Sequence, residues 1–462
     1  MMLKRWPLII LIVIAAGVHF WNLGQPAEVV FDEVHYGKSV SAYFTREFFV
    51  DGHPPLSKLM IASAAWAFGF HPGFDFDHIG EPYDAQKLFA LRFLVALFGV
   101  IFVAVVYEFI LALRLSRWSA FAGAFLVLFD NALLVESRFA LINIFLLSFG
   151  FAALIFFIQS TRTNNIKKER AYFAIASALA GLAISVKWIG VLFLGLILLF
   201  TAIRCISRYQ WKKCIVRTLG ALIIVAILYT GFMAIHLKLQ SKSGPGDWFM
   251  TKSFQKTLIG NAANYDTTIS PLGFWSKFLE MNVVLYKYHA NLTIKHPDSS
   301  TWYEWPFMKR PIFYWVKYSG DNRASIYFVG NPLVWWPAGL AVFLSVVFLF
   351  RKKLRKAMDS EISLLLIGYF ASILPFIGIA RVAFLYHYLI PLVFSICIFI
   401  LLAERVFTAA IRNKNIIRII YGGWLVCVFF AFLVLAPLTY GLMMPSSTNT
   451  QYNSFIDFLR RR

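Results

Sequence analysis

Charge is what this sequence has least of. Charged residues fill 15% of its 462 positions while 60% are hydrophobic, whereas a soluble domain is about a quarter charged and about half apolar. That shortage excludes a water-soluble globular enzyme. Acidic residues are scarcer still, 23 against 44 Lys and Arg. A nucleic-acid-binding protein would gather those cations on one face or along one helix, but here they fall in short clusters between apolar runs, as in Arg351, Lys352, Lys353, Arg355 and Lys356. No nucleic-acid partner is expected. Cysteine is limited to Cys205, Cys214, Cys397 and Cys427, with no CxxC pair and no metal-ligand spacing. They read as unpaired, structural thiols, and no metal site is expected. Internal repeats, low-complexity tracts and a second soluble domain are absent as well.

What the chain does have is apolar length. A spanning helix needs about 20 mostly apolar residues, and eleven runs meet or approach that: 7–23, 88–113, 118–134, 139–159, 171–186, 188–203, 218–237, 332–350, 362–380, 388–402 and 417–440. The expected fold is therefore an all-α integral membrane protein. Lys4 and Arg5 before the first run resemble the start of a signal peptide, but no convincing cleavage site follows, and the run is read as the first span. With the amino terminus in the cytoplasm, the clusters Arg114/Arg117, Arg162 to Arg170, Arg204 to Lys213, Arg351 to Lys356 and Arg412 to Arg418 all fall on the inner side. Basic residues are retained there, so one orientation accounts for five loops, in a plasma membrane with the chemistry outside.

Two long outer segments remain, 24–87 and 238–330. They divide the chain into an amino-terminal membrane module (1–237) holding an acidic loop, an outer loop (238–330) and a carboxyl-terminal membrane module (331–462). The first outer segment carries nine of the 23 acidic residues. Its stretch 55–70 is too short to span and reads as a helix lying in the interface. The second is rich in Trp, Tyr and Lys, as suits a chain resting on headgroups. It also holds the glycosylation sequon Asn291-Leu-Thr293.

The carboxylates of Asp32 and Glu33 stand where the chain leaves the first span. As a helix start, Asp32 would cap and Glu33 would sit favourably in the first turn. Adjacent helical positions point about 100° apart, so in a catalytic reading the two take different roles, with His35 and Tyr36 able to share the face of Asp32. Asp51-Gly-His53-Pro54-Pro55-Leu-Ser-Lys58 adds a second polar knot. On the same expected side, Arg138, Lys187, Arg381 and His387 stand where spans meet the surface, and charge at membrane depth marks function unless it snorkels. Carboxylates facing cations at a membrane surface suit transfer from a lipid phosphate. The departing phosphate is stable as an anion, so the reaction needs a base for the acceptor hydroxyl and fixed positive charge. One carboxylate opposite the leaving group is enough for inversion.

Phe31-Asp-Glu-Val-His-Tyr-Gly-Lys38 and His53-Pro-Pro-Leu56 resemble the signature stretches of the first luminal loop in protein O-mannosyltransferases. The resemblance continues in Asp130-Asn131 with Ser137-Arg138-Phe139, in Ser185-Val-Lys-Trp-Ile-Gly190, in Ser300-Thr-Trp-Tyr-Glu-Trp-Pro306 with Arg310-Pro311, in Gly330-Asn-Pro-Leu-Val-Trp-Trp336 and in Phe384-Leu-Tyr-His-Tyr388. It implies a GT-C-class glycosyltransferase that moves mannose from a polyprenyl-phosphate carrier to Ser or Thr of an exported protein, with no cofactor beyond the lipid-linked donor and with possible coupling to the secretion translocon. By the same resemblance Asp32 is the catalytic base and Glu33 its acidic neighbour, Glu33, Tyr36 and His53 lie on the acceptor side, and Arg138, Lys187, Arg381 and His387 hold the carrier phosphate. The segment 238–330 is too short for the β-trefoil MIR domain of eukaryotic members, which implies a compact prokaryotic type. Asn143 stands where the family often has Asp, and Ser57 where it often has Gly. Two other readings compete: a lipid-carrier glycosyltransferase acting on lipid A or a cell-wall glycan, and a transporter or flippase, which would call for repeated halves and broken helices.

Overall fold

The computed structural model describes residues 5–291, 296–349, 360–379, 381–410 and 414–461. The basic cluster at 351–356, Arg412 and Thr293 of the sequon lie outside them. In chain order the helices are α1 (Trp6–Phe20), α2 (Glu33–Thr45), α3 (Leu56–Ala67), α4 (Ala85–Ala112), α5 (Arg117–Leu128), α6 (Asn131–Glu136), α7 (Asn143–Arg162), α8 (Ile166–Val186), α9 (Val191–Ile206), α10 (Trp211–Leu239), α11 (Lys252–Gln255) and α12 (Phe274–Ala290). After two strands, β1 (Ile312–Ser319) and β2 (Asn322–Phe328), come α13 (Pro332–Leu349), α14 (Ser360–Ile373), α15 (Leu389–Ala410), α16 (Lys414–Tyr440), a short β3 (Met444–Pro445) and α17 (Ser446–Arg460).

Among the described residues eight helical segments are long and apolar enough to cross a bilayer. The expected spans at 7–23, 118–134 and 362–380 correspond to shorter apolar helices. Helix starts follow local capping chemistry: Ser116 accepts from the Ser119 amide at α5, and Asn165 from the Lys168 amide at α8.

The chain forms two compact units, each discontinuous in sequence. One comprises Met1–Gln25, Ala96–Arg138 and Lys295–Arg462. Within it the expected span 118–134 is broken. Helix α5 stops at Leu128, and the buried Asp130 caps α6 by accepting from the Leu133 amide at 3.0 Å. Its other oxygen accepts from the Asn331 amide at 2.9 Å and from the Trp335 indole at 2.8 Å. Asn331 in turn donates to the carbonyl of Phe129 at 3.1 Å, in the gap between the helices. Two stretches 200 residues apart thus satisfy one another at a helix break, which a hydropathy window reads as continuous.

The same unit holds a small antiparallel sheet, ordered β1-β2-β3, that adds to the expected helical architecture. Tyr314, Trp315, Ile326 and Phe328 are buried in it, and the Tyr314 hydroxyl donates to Glu136 at 2.7 Å.

The second unit comprises Pro26–Val95 and Phe139–Ile294. Its extramembrane part is held by a core in which Phe48, Met233, Leu237, Phe254, Met281 and Leu285 are buried together. At one end, Glu169 at the start of α8 accepts from Lys213 at 2.8 Å and also pairs with Arg217. Two of the basic connections expected on the inner side therefore meet at one end of this unit.

Candidate active site

In the second unit the chain enters α2 through Phe31, whose φ of +47° lies in the left-handed region. A non-glycine residue held there costs about 1–3 kcal/mol and persists only where its surroundings over-determine it. Those surroundings are visible at Glu33, which is 1% exposed. Its Oε1 accepts from Arg92 Nε at 2.8 Å and from the Ala140 amide at 2.9 Å, and its Oε2 accepts from Arg92 Nη2 at 2.8 Å and from the Val30 amide at 3.0 Å. Arg92 lies in α4, is fully buried, and donates further to the carbonyls of Pro26 and Glu28, each at 3.1 Å. Each carboxylate oxygen of Glu33 already accepts two hydrogen bonds, and the side chain acts as a bidentate clamp that fixes the loop before α2.

Asp32 is its opposite. It occupies the position that precedes α2, yet its carboxylate caps no backbone amide, and it receives no hydrogen bond from any described residue. Burial pushes its carboxyl up to about 6, with Lys187 pulling it down and Asp51 pushing it up. The cap reading therefore fails for Asp32, and what stands there is a half-buried acid whose carboxylate has no hydrogen-bond donor among the described residues.

Lys187 sits where α8 ends, in extended backbone, before a single 3₁₀ turn at Trp188–Gly190 leads into α9. The turn folds tightly against the end of α8: a Cβ at Gly190 would lie 2.5 Å from the Ala183 carbonyl carbon. Only glycine allows that approach. Lys187 is buried and donates to Asn143 at 3.1 Å.

The polar knot after α2 closes on itself. Asp51 pairs with Lys58 at 2.9 Å and accepts from the Ser39 hydroxyl at 3.2 Å and the His53 amide at 2.6 Å, while Lys58 also donates to the His53 carbonyl at 2.7 Å. Burial pulls the Lys58 ammonium below its ordinary value, and the Asp51 carboxylate pulls it back. The knot leaves the His53 ring half-buried, 4.9 Å from the ring of His289. Tyr36 is buried on α2, and His35 is exposed.

The other cations expected at the site belong to the first unit. Arg138 is 1% exposed and donates to the carbonyls of His19 at 2.8 Å, Val18 at 3.3 Å and Asn22 at 3.4 Å, with its guanidinium 4.5 Å from the centre of the Tyr440 ring. Two of these carbonyls, Val18 and His19, belong to the last turn of α1, where no later helical amide is available to them. Arg138 thus ties down the end of α1. Arg381 and His387 do come together, with Nη2 of one 3.3 Å from Nε2 of the other. His387 is stacked on Trp305, whose indole donates to Ser300 at 3.0 Å, so the stretches 300–306 and 384–388 meet within this unit.

Arg92 is the residue that sequence reasoning missed. Its signal was present, a lone cation within the apolar run 88–113. His289 and Tyr288 beside the knot carried none, because aromatic residues are common throughout the outer segments.

The family model for dolichyl-phosphate-mannose-protein mannosyltransferase matches residues 9–241, and the one for the C-terminal four-transmembrane region of protein O-mannosyltransferase matches residues 274–457. The chain is 38% identical over 277 residues to protein O-mannosyltransferase 1 of Drosophila melanogaster, covering 57% of this chain and 30% of that protein. It is 32% identical over 301 residues to dolichyl-phosphate-mannose–protein mannosyltransferase 4 of Candida albicans, covering 62% of this chain and 38% of that one. The chain thus spans about a third of the length of the curated relatives it matches. Its fold is that of the GT-C membrane glycosyltransferases: the structure of the Saccharomyces cerevisiae Pmt1-Pmt2 complex bound to the sugar donor superposes with a TM-score of 0.85 at 18% identity, over 95% of this chain and 90% of that one. By the two matched models, which run in order along most of its length, this multi-pass membrane chain belongs to the dolichyl-phosphate-mannose-protein mannosyltransferase family.

Proposed function

We propose that this protein transfers mannose from a polyprenyl-phosphate carrier to Ser or Thr hydroxyls of exported polypeptides, with inversion at the anomeric carbon. The observation that carries this reading is the contrast between two adjacent carboxylates. Glu33 is saturated by Arg92 and two amides, while the Asp32 carboxylate accepts no hydrogen bond from any described residue and burial raises it to about 6, where a general base is useful. Asp32 takes the hydroxyl proton as the acceptor oxygen attacks the anomeric carbon. The bond from that carbon to the phosphate oxygen breaks, and the phosphate leaves as an anion that needs no proton. Lys187, whose charge already acts on Asp32, supplies fixed positive charge against the negative charge that develops.

The carrier-phosphate role of Arg381 and His387 is kept on the family resemblance alone. Docking at the secretion translocon, a plasma-membrane location and a cytoplasmic amino terminus belong to the same reading.

The test is transfer from polyprenyl-phosphate mannose to a Ser/Thr-rich peptide by purified protein. D32N is expected to lower kcat by about 10³-fold, in the range for loss of a general base, while the protein still inserts and folds. A fully active D32N would overturn the assignment of the base. Transfer to lipid A or a glycan but none to peptide would favour the rival acceptor class.

A further inference from the structure

Helix α12 lies in the second outer segment, and its two faces have different surroundings. Met281 and Leu285 on one face enter the buried core of the second unit. On the other, Trp275, Leu279, Val283 and Tyr286 are 50–65% exposed, a spacing of one apolar stripe suited to a helix resting in the bilayer interface. A relay fixes the buried face: Trp188 donates to the Tyr229 hydroxyl at 3.0 Å, which donates to Asn282 at 2.6 Å. Helix α12 is thereby tied to the turn that carries Lys187.

The last turn of this buried face presents Tyr288 and His289, both half-buried. They close on the knot. A Cβ at Gly52 would lie 2.7 Å from the Tyr288 ring and 3.1 Å from the His289 ring, so glycine is what lets α12 approach. The His289 ring is 4.9 Å from that of His53, 6.4 Å from that of Trp188, and perpendicular to Tyr288 at 6.1 Å. Burial raises the Tyr288 phenol, and the charges of Asp51 and Asp32 both add to it, which places the ring in the electrostatic neighbourhood of the base.

We infer that Tyr288, His289 and His53 form an aromatic wall that seats the backbone of the acceptor polypeptide beside Asp32. The inference rests on the mannosyl-transfer reading above. An acceptor defined only by a Ser or Thr offers little side-chain identity, so recognition falls to flat, half-exposed rings that contact an extended chain and exclude water. Such rings lose little rotamer entropy on binding. The acceptor arrives from water, on the side where α12 lies, whereas the carrier tail stays in the bilayer.

The test measures KM for peptide and for polyprenyl-phosphate mannose separately, in purified full-length protein, together with the melting midpoint. Y288A is expected to raise the peptide KM about 10-fold and H289A about 5-fold, with the donor KM within twofold of wild type and the midpoint unchanged. Y288F is expected to recover most of the lost peptide affinity, because the ring face does the work. G52A, which displaces the Tyr288 ring from outside the wall, is expected to reproduce Y288A. An unchanged peptide KM overturns the inference, as does a rise confined to the donor KM, or a loss of kcat that tracks a lowered midpoint. If wild-type protein transfers nothing to peptide, the functional reading itself falls and this inference with it; wild-type transfer with an unaltered Y288A removes the wall alone.

Discussion

At the residue scale, two neighbouring carboxylates have been given opposite environments by their partners. Asp32 has a folded-state value near 6 against an ordinary value near 4. The base works only when ionised, so kcat is expected to rise with pH through about 6 and level off above it. A profile flat from pH 5 to 8 would contradict that. The same shift has a cost to stability. Because the folded state holds this proton more tightly than the unfolded chain, the contribution of Asp32 to stability is fully present below about pH 4 and is lost as pH rises through about 6, by roughly 3 kcal/mol. D32N should remove that loss, leaving a variant that is about 10³-fold slower yet melts higher than wild type at pH 7.5. Glu33 and Arg92 carry the opposite prediction. Removing one partner strands a buried charge at a cost of about 3–5 kcal/mol, so R92A should fold poorly. R92K keeps the charge but not the fork that meets both oxygens, and it should lower both the melting midpoint and kcat, since it loosens the loop that aims Asp32. The acidic pair was legible in the sequence because it sits at a span exit. Which member would be free was not, because that depends on Arg92, 59 positions from Glu33 and known only once α4 packs.

At the element scale, breaks in helices carry most of the local information. The end of α8 at Lys187 was legible as a cation between two apolar runs. The break at Asp130 was not, since one buried acid barely lowers the average hydropathy of its window, and its partners Asn331 and Trp335 are 200 residues away. The hairpin of β1 and β2 was missed for a related reason: its Trp and Tyr residues suit a headgroup-facing loop as well as a strand, and only cross-strand pairing decides between them. The Asp130 junction makes a graded prediction. D130A removes a helix cap and leaves the Trp335 indole and the Asn331 amide without a partner, which should cost about 2–4 kcal/mol. D130N keeps an oxygen for the cap and should recover about half. Thermal unfolding in detergent, monitored at constant pH, reads both; equal losses in the two variants would show that charge, not hydrogen bonding, stabilises the break.

At the scale of the whole molecule, the proposed orientation across the bilayer can be argued from the second unit. Helix α8 is 21 residues long, or about 31 Å at 1.5 Å per residue; Glu169 in its first turn pairs with Lys213 and Arg217 of α10, and Lys187 follows its other end. Since Lys187 acts electrostatically on Asp32, the candidate site and the basic connections are separated by the thickness of a membrane. Basic connections are retained in the cytoplasm, so the proposed orientation puts the site end outward. Single cysteines read this directly once the four free thiols, Cys205, Cys214, Cys397 and Cys427, are replaced by serine. In intact cells a membrane-impermeant maleimide should label D75C and T267C, both exposed and on the site side, while K167C and K212C should react only after permeabilisation. The opposite pattern would put the basic connections outside and the site in the cytoplasm. Asp32 would then meet polypeptides before export rather than after it, and the proposed acceptor class would have to be abandoned even if the chemistry at Asp32 stood.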